Sequence, residues 1–380
     1  MSDYSKNIWF DGKIIPFNDA KIHVMSHCIH YGSGVFEGIK CYDTPNGPAV
    51  FRLTEHMQRL HQSAASFNIN IPFSVEELNK AAIDLIKSNN VKNCYLRPVA
   101  FYGFDTLGVH PKKCPVQASI ATLDWGAYVS KEALKKGARI TISPWRKFQS
   151  NAFPASTKAT GQYLNSLLAV QDAKSRGFDE ALLLNEDDSI AEGSGQNIFI
   201  IKDGIFHTND KNSNILMGIT RDTLFKLIED IGYSYKIDNI SKEELFNADE
   251  VFYCGSASEV TPIREIDDHI IGNGQAGKLT IKLQKIYYEY MKVTEKVKKT
   301  RKSLSHIEVA NKKTTLTIVV PETNDWGELG EPPSPPKLIR QNAHYLGYSN
   351  FMTTRVADES FDTSIPEPLN DDVPDSWEDL

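Results

Sequence analysis

Strand-like and helix-like apolar patterns alternate along the first 293 residues, and this alternation limits the folds open to the chain. Short or period-two apolar runs predict strands at 8–10, 13–15, 94–101, 138–143, 180–184, 196–201 and 250–254. Helical spacing predicts helices at 54–67, 75–87, 161–176, 221–231 and 279–293. Thr54 is the expected N-cap of the first helix. Interleaved strands and helices favour an α/β or mixed α+β architecture with two cores.

The length of the chain, 380 residues, fits two domains, since one domain usually contains roughly 100–200 residues. We predict a small N-terminal α/β domain at 1–123, a connector with turn character at 124–130 and a large C-terminal domain at 131–297. The remainder, 298–380, is predicted to be a tail that belongs to neither domain.

The predicted tail differs from the rest of the chain in composition. Residues 301–380 contain 14 acidic and 7 basic side chains, whereas residues 1–300 contain 35 of each. The tail also holds eight of the chain's 18 prolines. The apolar pattern favours a short strand at 314–320. Beyond it we expect extended or disordered chain, because too little periodic apolar surface is present to offset the entropy of ordering.

Charge and cysteine content exclude several classes of protein and site. Because residues 1–300 are neutral overall, the chain lacks the basic surplus of a nucleic-acid-binding protein. No apolar run approaches the roughly 20 residues that cross a membrane, and the first residues lack the pattern of a secretory signal. The five cysteines are widely spaced, without a CxxC or Cys/His cluster. We therefore expect free thiols, no metal site and a cytoplasmic location.

The stretch 153–168 surrounds Lys158 with small residues and places Tyr163 five positions later. Most lysines are solvated surface cations. A lysine that loses its hydration, however, has a lowered pKa, and its amine becomes nucleophilic toward an aldehyde. The stretch alone leaves both interpretations open.

A second stretch, 216–222, leads into an apolar-periodic run typical of a helix. Gly218 permits close approach of the backbone, and Thr220 lies where the helix is expected to begin. A helix N-terminus with free N–H groups can bind a phosphate. A helix start without any ligand fits the same residues.

Ten segments in a consistent order resemble the branched-chain amino-acid aminotransferases, which are pyridoxal 5′-phosphate (PLP) enzymes of fold type IV. The segments are HVMSH at 23–27, HYG at 30–32, VFEGI at 35–39, EHMQRLH at 55–61, YLRP at 95–98, WGAY at 125–128, the lysine stretch at 153–168, EGSGQN at 192–197, GITRD at 218–222 and GSASEVTP at 255–262. The resemblance implies two domains, with the active site between them and at a dimer interface. It extends from about residue 5 to about residue 295.

The resemblance also implies which residues bind PLP. Lys158 matches the lysine that forms a Schiff base with the cofactor and then acts as the catalytic general base and acid. Glu192 matches the carboxylate that pairs with the pyridine nitrogen, where it keeps the ring protonated. Tyr163 matches the tyrosine that hydrogen-bonds the phenolic oxygen. The residues that match the phosphate site are Arg59, Ile219, Thr220 and Ser256.

For the substrate, the resemblance implies a pocket that accepts both an aliphatic side chain and the γ-carboxylate of glutamate. Aromatic residues that match its wall are Tyr31, Phe36, Tyr95, Tyr128 and Tyr163. Arg97 matches the arginine that binds the γ-carboxylate, although an arginine on an amphipathic strand also fits a salt bridge at the rim of the sheet. Ser256 and Ala257 match the turn that binds the α-carboxylate.

Taken together, the resemblance predicts a cytoplasmic transaminase that moves the amino group of L-leucine, L-isoleucine or L-valine to 2-oxoglutarate. The expected partners are small amino and 2-oxo acids and a second copy of the chain, as a homodimer or a higher homo-oligomer. Two details depart from the family pattern: Gln196 replaces a common glutamate, and the tail has no counterpart. The loop at 105–110, which leans toward the neighbouring subunit in the family, is variable.

Three alternatives remain open at this stage. A D-amino-acid aminotransferase and an aminodeoxychorismate lyase share the fold, but the segments at 95–98 and 125–128 favour the branched-chain group. The third alternative is a non-catalytic scaffold whose acidic tail binds a partner. The joint presence of Lys158, Arg59, Glu192 and Tyr163 argues against a scaffold.

Overall fold

The computed structural model describes residues 6–124, 126, 129–292, 304–311 and 314–321. These residues lie within one compact unit, Met1–Thr323. In this described part the strands form two sheets of nine strands each, and helices pack against both. None of the described helices is long and apolar enough to cross a lipid bilayer.

The first sheet combines strands from both ends of the described chain. Numbered in chain order, its strands are Asn7–Phe10 (β1), Lys13–Pro16 (β2), Gly34–Phe36 (β3), Ile39–Thr44 (β4), Gly47–Phe51 (β5), Cys94–Tyr102 (β6), Val116–Leu123 (β7), Leu304–Asn311 (β17) and Thr314–Pro321 (β18). The order across the sheet is β17-β18-β5-β4-β6-β7-β1-β2, and β3 pairs with β6. Strands β18 and β5 run parallel, and the other neighbours are antiparallel.

The second sheet is built from the middle of the chain. Its strands are Ala138–Ile142 (β8), Glu180–Leu184 (β9), Ile190–Gly193 (β10), Asn197–Lys202 (β11), Ile205–Thr208 (β12), Tyr235–Ile237 (β13), Glu250–Gly255 (β14), Glu259–Ile266 (β15) and His269–Ile270 (β16). The order is β10-β9-β8-β15-β14-β11-β12-β13, and β16 pairs with β15. Parallel pairs join β8 to β9, β8 to β15 and β12 to β13, which makes the sheet mixed.

Eight α-helices accompany the sheets in the described residues. They are His27–Tyr31 (α1), Leu53–Ala65 (α2), Val75–Asn89 (α3), Lys131–Lys136 (α4), Tyr163–Ser175 (α5), Ile219–Asp230 (α6), Lys242–Phe246 (α7) and Lys278–Lys292 (α8). Helix α3 begins with a capping box, in which the Ser74 side chain accepts from Glu77 N and the Glu77 carboxylate accepts from Ser74 N. This reciprocal pair satisfies two N–H groups at the start of the helix.

Helices α2 and α3 cover the first sheet with their apolar faces. Leu53, Met57 and Leu60 of α2 are fully buried at helical spacing, and Leu78 and Ile86 of α3 join them in one core cluster. Each such side chain stabilises the fold by roughly 1.5–3 kcal/mol when it leaves water. The burial fixes α2 on the sheet, and with it the position of the polar residues His56 and Ser63 on the same buried face.

A second core lies between the second sheet and helices α6 and α8. Leu224 and Leu227 of α6 and Leu283 of α8 pack there with aromatic residues of the sheet. The two sheets also touch each other, because Tyr42 on β4 donates a 3.0 Å hydrogen bond to Glu259 on β15. This hydrogen bond therefore holds the first sheet against the second beside the site described below.

The predicted elements are present, and their ends differ from the predicted ones by at most two residues. The N-cap prediction was wrong: α2 begins at Leu53, and its N-cap is Arg52 in a left-handed conformation with φ 48°. Arg52 is held there by its ion pairs with Glu55 and Asp222. Thr54 instead accepts a hydrogen bond from Asn79. A tertiary contact, not local capping chemistry, therefore decides where α2 begins.

The predicted strand at 314–320 is present as β18, whereas β17 was not predicted. Strand β18 runs parallel to β5, with Thr317 opposite Ala49. The rest of the predicted tail lies outside the described residues. The domain boundary at 124–130 stays a prediction. Strands from beyond residue 300 complete the first sheet, and both sheets belong to one compact unit.

Candidate active site

A cleft of about 630 Å³, partly open to solvent, is lined by residues from both sheets. Nine of the residues predicted from the sequence line it: Arg59, Tyr95, Lys158, Tyr163, Glu192, Ile219, Thr220, Ser256 and Ala257. They come from α2, β6, α5, β10, α6 and the loops between β8 and α5 and between β14 and β15. The fold thus brings together residues that are up to 198 positions apart in the sequence.

The loop that carries Lys158 is hydrogen-bonded through the backbone of the lysine to β3 of the first sheet and to helix α2. Phe36 N donates to Lys158 O at 3.0 Å, and Lys158 N donates to Ser63 Oγ at 3.0 Å. Gly32 ends α1 with φ 63°, and a Cβ there would lie 2.8 Å from Gly161 Cα. Only glycine allows the two backbones to come this close. The backbone of Lys158 is therefore positioned before any ligand binds.

The amine of Lys158 is buried and partly discharged near neutral pH. Burial lowers its pKa to about 8, and Glu37 opposes this shift while Arg59 adds to it. Lys158 Nζ donates a 2.6 Å hydrogen bond to Tyr163 Oη. Burial, with Glu192 adding to it, raises the pKa of Tyr163 to about 12, so the tyrosine remains a phenol. A desolvated amine with a lowered pKa is a competent nucleophile and base.

At one end of the cleft, Arg59 forms an ion pair with the fully buried Glu37. Arg59 Nε and Nη2 donate to Glu37 at 2.7 and 2.9 Å, and His56 Nδ1 lies 2.7 Å from the same carboxylate. Burial alone would raise the pKa of Glu37, but Arg59 holds it well below its ordinary value. Arg59 Nη1 donates to Met217 O at 3.0 Å, which sets the guanidinium beside the start of α6.

Helix α6 begins at the same end of the cleft with no side-chain cap. Its N-cap is Gly218, and Ile219 and Thr220 line the cleft. A Cβ at Gly218 would collide with the side chain of Asn197, so the backbone lies closer to that side chain than any residue other than glycine would allow. An uncapped helix N-terminus next to a fixed guanidinium suits a dianionic phosphate, since N–H donors and positive charge converge.

In another part of the cleft lining, the buried carboxylate of Glu192 accepts three hydrogen bonds. Lys147 Nζ donates to Oε1 at 2.6 Å. Asn197 Nδ2 and Leu216 N donate to Oε2 at 3.2 and 3.1 Å. These donors hold the carboxylate in one orientation.

Aromatic rings and one guanidinium lie around the Lys158 amine. The Phe36 ring is 4.9 Å from Lys158 Nζ and packs edge-on against Tyr163 at 4.7 Å. Arg97 Cζ lies 4.7 Å from the Phe36 ring and 5.5 Å from the Tyr95 ring. A guanidinium stacked on aromatic faces is stabilised by cation–π attraction and keeps its hydrogen-bond donors at the ring edges.

Three of the described residues predicted for the substrate pocket are not among those that line the cleft: Tyr31, Phe36 and Arg97. Tyr31 is 41% exposed and packs against His27 at 4.5 Å, outside the residues that line the cleft. Tyr128 lies outside the described residues. Their predicted roles stay proposals.

The sequence did not indicate the partners that hold the two charged ends. Nothing in the stretch 144–150 distinguishes Lys147, which is buried, from the neighbouring Arg146, which is exposed. Glu37 lies in the segment VFEGI at 35–39, but no local pattern pairs it with Arg59. Both partners become apparent only when the elements are in place.

Residues 34–266 match the family described as "Amino-transferase class IV". The chain belongs to the class IV aminotransferases. The branched-chain-amino-acid aminotransferase of Pseudomonas aeruginosa is 43% identical over 289 residues, which cover 76% of this chain and 94% of that protein. This similarity places the chain with the branched-chain members of the class.

Two solved structures of branched-chain amino acid aminotransferases also match the chain. The Escherichia coli enzyme is 41% identical with a TM-score of 0.75, and the match covers 76% of this chain and 95% of that one. The Thermobaculum terrenum enzyme, solved in its PLP form, is 30% identical with a TM-score of 0.73, and the match covers 78% of this chain and 97% of that one. The mixed two-sheet architecture is therefore that of fold type IV, as predicted.

Class IV aminotransferases use PLP, as predicted, and the cleft of this class IV aminotransferase fits that cofactor. A buried amine with lowered pKa is available for the aldehyde, an uncapped helix start and an arginine are available for the phosphate, and a buried carboxylate lies at the opposite end. When bound, PLP supplies an electron-accepting ring to the amino acid attached to it.

Proposed function

We propose that this aminotransferase moves the amino group of L-leucine, L-isoleucine or L-valine to 2-oxoglutarate. The products are the branched 2-oxo acids and L-glutamate, the reaction is reversible, and in the cell it is the last step of branched-chain amino-acid biosynthesis. The observation that supports this proposal best is the buried Lys158 amine beside Tyr163, with a cationic end of the cleft on one side and Glu192 on the other.

Lys158 is the proposed catalytic residue. Its Nζ would remove the proton from the α-carbon of the amino acid and, in the reverse half-reaction, would return a proton to the α-carbon derived from the 2-oxo acid. A pKa of about 8 leaves an appreciable fraction of neutral amine at neutral pH, as a general base requires. Tyr163 orients this amine by their shared hydrogen bond and keeps its own proton.

The proposed phosphate site consists of Arg59, Ile219, Thr220 and Ser256. Arg59 contributes fixed positive charge, and the first turn of α6 contributes oriented N–H groups. At the opposite end, we assign Glu192 to the ring nitrogen of the cofactor, where an ionised carboxylate stabilises the protonated ring. The charges of the cleft would thus match a ligand that is negative at one end and positive at the other.

The proposed substrate pocket serves two kinds of side chain. Its aromatic wall consists of Phe36, Tyr95 and Tyr163, together with Tyr31 and Tyr128, and offers apolar surface to leucine. Arg97 lies against this wall and would bind the γ-carboxylate of glutamate or 2-oxoglutarate. The turn at Ser256 and Ala257 would bind the α-carboxylate, which both substrates share.

We also propose a homodimer, or a larger homo-oligomer built from dimers, in the cytoplasm. Exposed apolar side chains at Leu164, Leu167 and Leu168 share one face of α5, and Leu107 and Val109 protrude from the loop at 105–110. Exposed apolar clusters of this kind mark protein interfaces. The described cysteines are free thiols, as a reducing compartment requires. Sedimentation at several concentrations tests the dimer.

The visible absorption spectrum of the purified protein tests the proposed reaction. We expect a cofactor band that L-leucine bleaches and that 2-oxoglutarate restores, because the two half-reactions use one site. A spectrum that responds to D-alanine but not to L-leucine would leave the cofactor assignment intact and refute the substrate. A protein that shows no band after incubation with PLP would refute the proposed site itself.

A further inference from the structure

Lys147 is a buried lysine to which the roles above give no function. Its side chain is 6% exposed, and its backbone N–H donates to Leu184 O on β9 at 2.9 Å. The preceding residue, Arg146, is 43% exposed and pairs with Asp188 at the surface. Of two adjacent cations, one is thus solvated and the other faces the cleft.

The Lys147 ammonium lies 2.6 Å from Glu192 Oε1, and both side chains are almost fully buried. A buried ammonium is unfavourable unless a carboxylate compensates it. Asn197 and Leu216 N donate to the other carboxylate oxygen, but neither carries a net charge. Among the described contacts of Glu192, Lys147 therefore supplies the positive charge.

Charge at this position decides where a shared proton would reside. A cation next to a carboxylate stabilises its ionised form and lowers its affinity for a proton. A protonated ring nitrogen that faces Glu192 would consequently retain its proton, because transfer to Glu192 would leave Lys147 beside a neutral acid. Without Lys147, the carboxylate would compete for that proton.

We infer that Lys147 is a positioning residue that keeps Glu192 ionised and so keeps the proton on the ring nitrogen of the cofactor. This inference rests on the proposed assignment of Glu192 to that nitrogen. Lys147 itself touches neither the amino acid nor the reacting carbon in this scheme. Its loss should therefore lower kcat and leave the KM for leucine nearly unchanged.

The test compares Lys147→Met, Lys147→Arg and Arg146→Met after each is loaded with PLP labelled with ¹⁵N in the ring. We expect the ¹⁵N chemical shift to move toward that of unprotonated pyridine in Lys147→Met and to stay in Lys147→Arg. Arg146→Met, the matched control, should retain the original shift. The kcat of Lys147→Met should fall on the order of tenfold, the change that about 1.4 kcal/mol of transition-state stabilisation represents.

An unchanged ¹⁵N shift in a folded, PLP-loaded Lys147→Met protein would overturn the inference. If Lys147→Met does not fold, Lys147→Gln gives the same test, because its amide donates a hydrogen bond to Glu192 without a charge. A wild-type shift in Lys147→Gln would then mean that the charge is not needed. Glu192→Gln tests the assignment of Glu192 to the ring nitrogen separately from the role of Lys147. If Glu192→Gln leaves the ¹⁵N shift unchanged, that assignment fails.

Discussion

The two ends of the cleft hold their buried carboxylates in opposite ways. Glu37 lies behind Arg59 and His56, and it is the guanidinium that lines the cleft. At the other end, Glu192 lines the cleft itself, with Lys147 bonded to its Oε1. Each carboxylate is paired with a cation, but one pair presents positive charge to the ligand and the other presents a carboxylate.

This difference shows how a site can be polar without carrying a large net charge. Each ion pair compensates its own burial, since an unpaired charge in the interior is strongly unfavourable. What remains is a cleft lining with positive charge at Arg59 and a carboxylate at Glu192. A ligand that carries both a phosphate and a protonated ring nitrogen is oriented by such an arrangement of charges. The pKa of Tyr163 responds to both pairs, whereas that of Lys158 responds to Glu37 and Arg59.

Removing Lys158 tests whether the two charged ends catalyse anything without the amine. We expect Lys158→Ala to lose transamination by about 10²–10⁴-fold or more, the contribution of a positioned acid–base group. Single-turnover kinetics with leucine measures the loss, and Lys136→Ala, at an exposed lysine, is the control. Full activity of Lys158→Ala without an added amine would refute the catalytic assignment.

Breaking the pair behind Arg59 should destabilise the protein. Glu37→Gln leaves Arg59 as a buried cation without its carboxylate, which costs about 3–5 kcal/mol. Inorganic phosphate should recover part of that loss in the cofactor-free protein, because it replaces the missing counter-ion and binds only the folded state. Urea denaturation with and without phosphate measures both effects.

The control for this experiment is Glu132→Gln, which removes a carboxylate from an exposed pair on α4. Its free energy of unfolding should equal that of the wild type both without and with phosphate, because its phosphate site is unchanged. If phosphate stabilises Glu37→Gln no more than it stabilises the wild type, Arg59 does not form the phosphate site.

Arg97 differs from both pairs because its guanidinium lies against two aromatic rings. Arg97→Ala should lower kcat/KM for glutamate by about tenfold to a hundredfold more than kcat/KM for leucine, since a hydrogen bond to a charged group contributes about 1.5–3 kcal/mol. Steady-state kinetics with both amino acids, and with Arg139→Ala as a surface control, measures the ratio. Equal losses for the two substrates would mean that Arg97 is structural.

The pH dependence of PLP binding tests the lowered pKa of the Lys158 amine. The lowered pKa of Lys158, about 8, means that its neutral form prevails above pH 8. The rate at which PLP restores the cofactor band should rise about tenfold between pH 7 and pH 9 and then level off. A rate that still rises steeply through pH 10 would indicate an ordinary lysine. Lys158→Ala, which should show no such band, is the control.

Most elements of the fold could be predicted from apolar spacing, because burial of one face imposes a period on the sequence. Helix α3 is an example, with its apolar period and the Ser74–Glu77 capping box within one local stretch. The start of α2 could not be predicted in this way, because Arg52 is held by Asp222, 170 positions away. Strand β17 was missed for a related reason, because its place in the sheet depends on a pairing that is distant in sequence. Strand β17 pairs with β18, and β18 pairs with β5.

The sequence by itself determined the residue types that this chemistry needs, since Lys158, Arg59, Tyr163 and Glu192 lie in segments whose order resembles that of the family. Only the tertiary structure decided their electrostatic state. Lys158 has a lowered pKa because the fold buries it, and Glu192 is compensated because Lys147, not Arg146, points inward. Such properties depend on burial and on partners that are distant in sequence, and a local pattern carries neither.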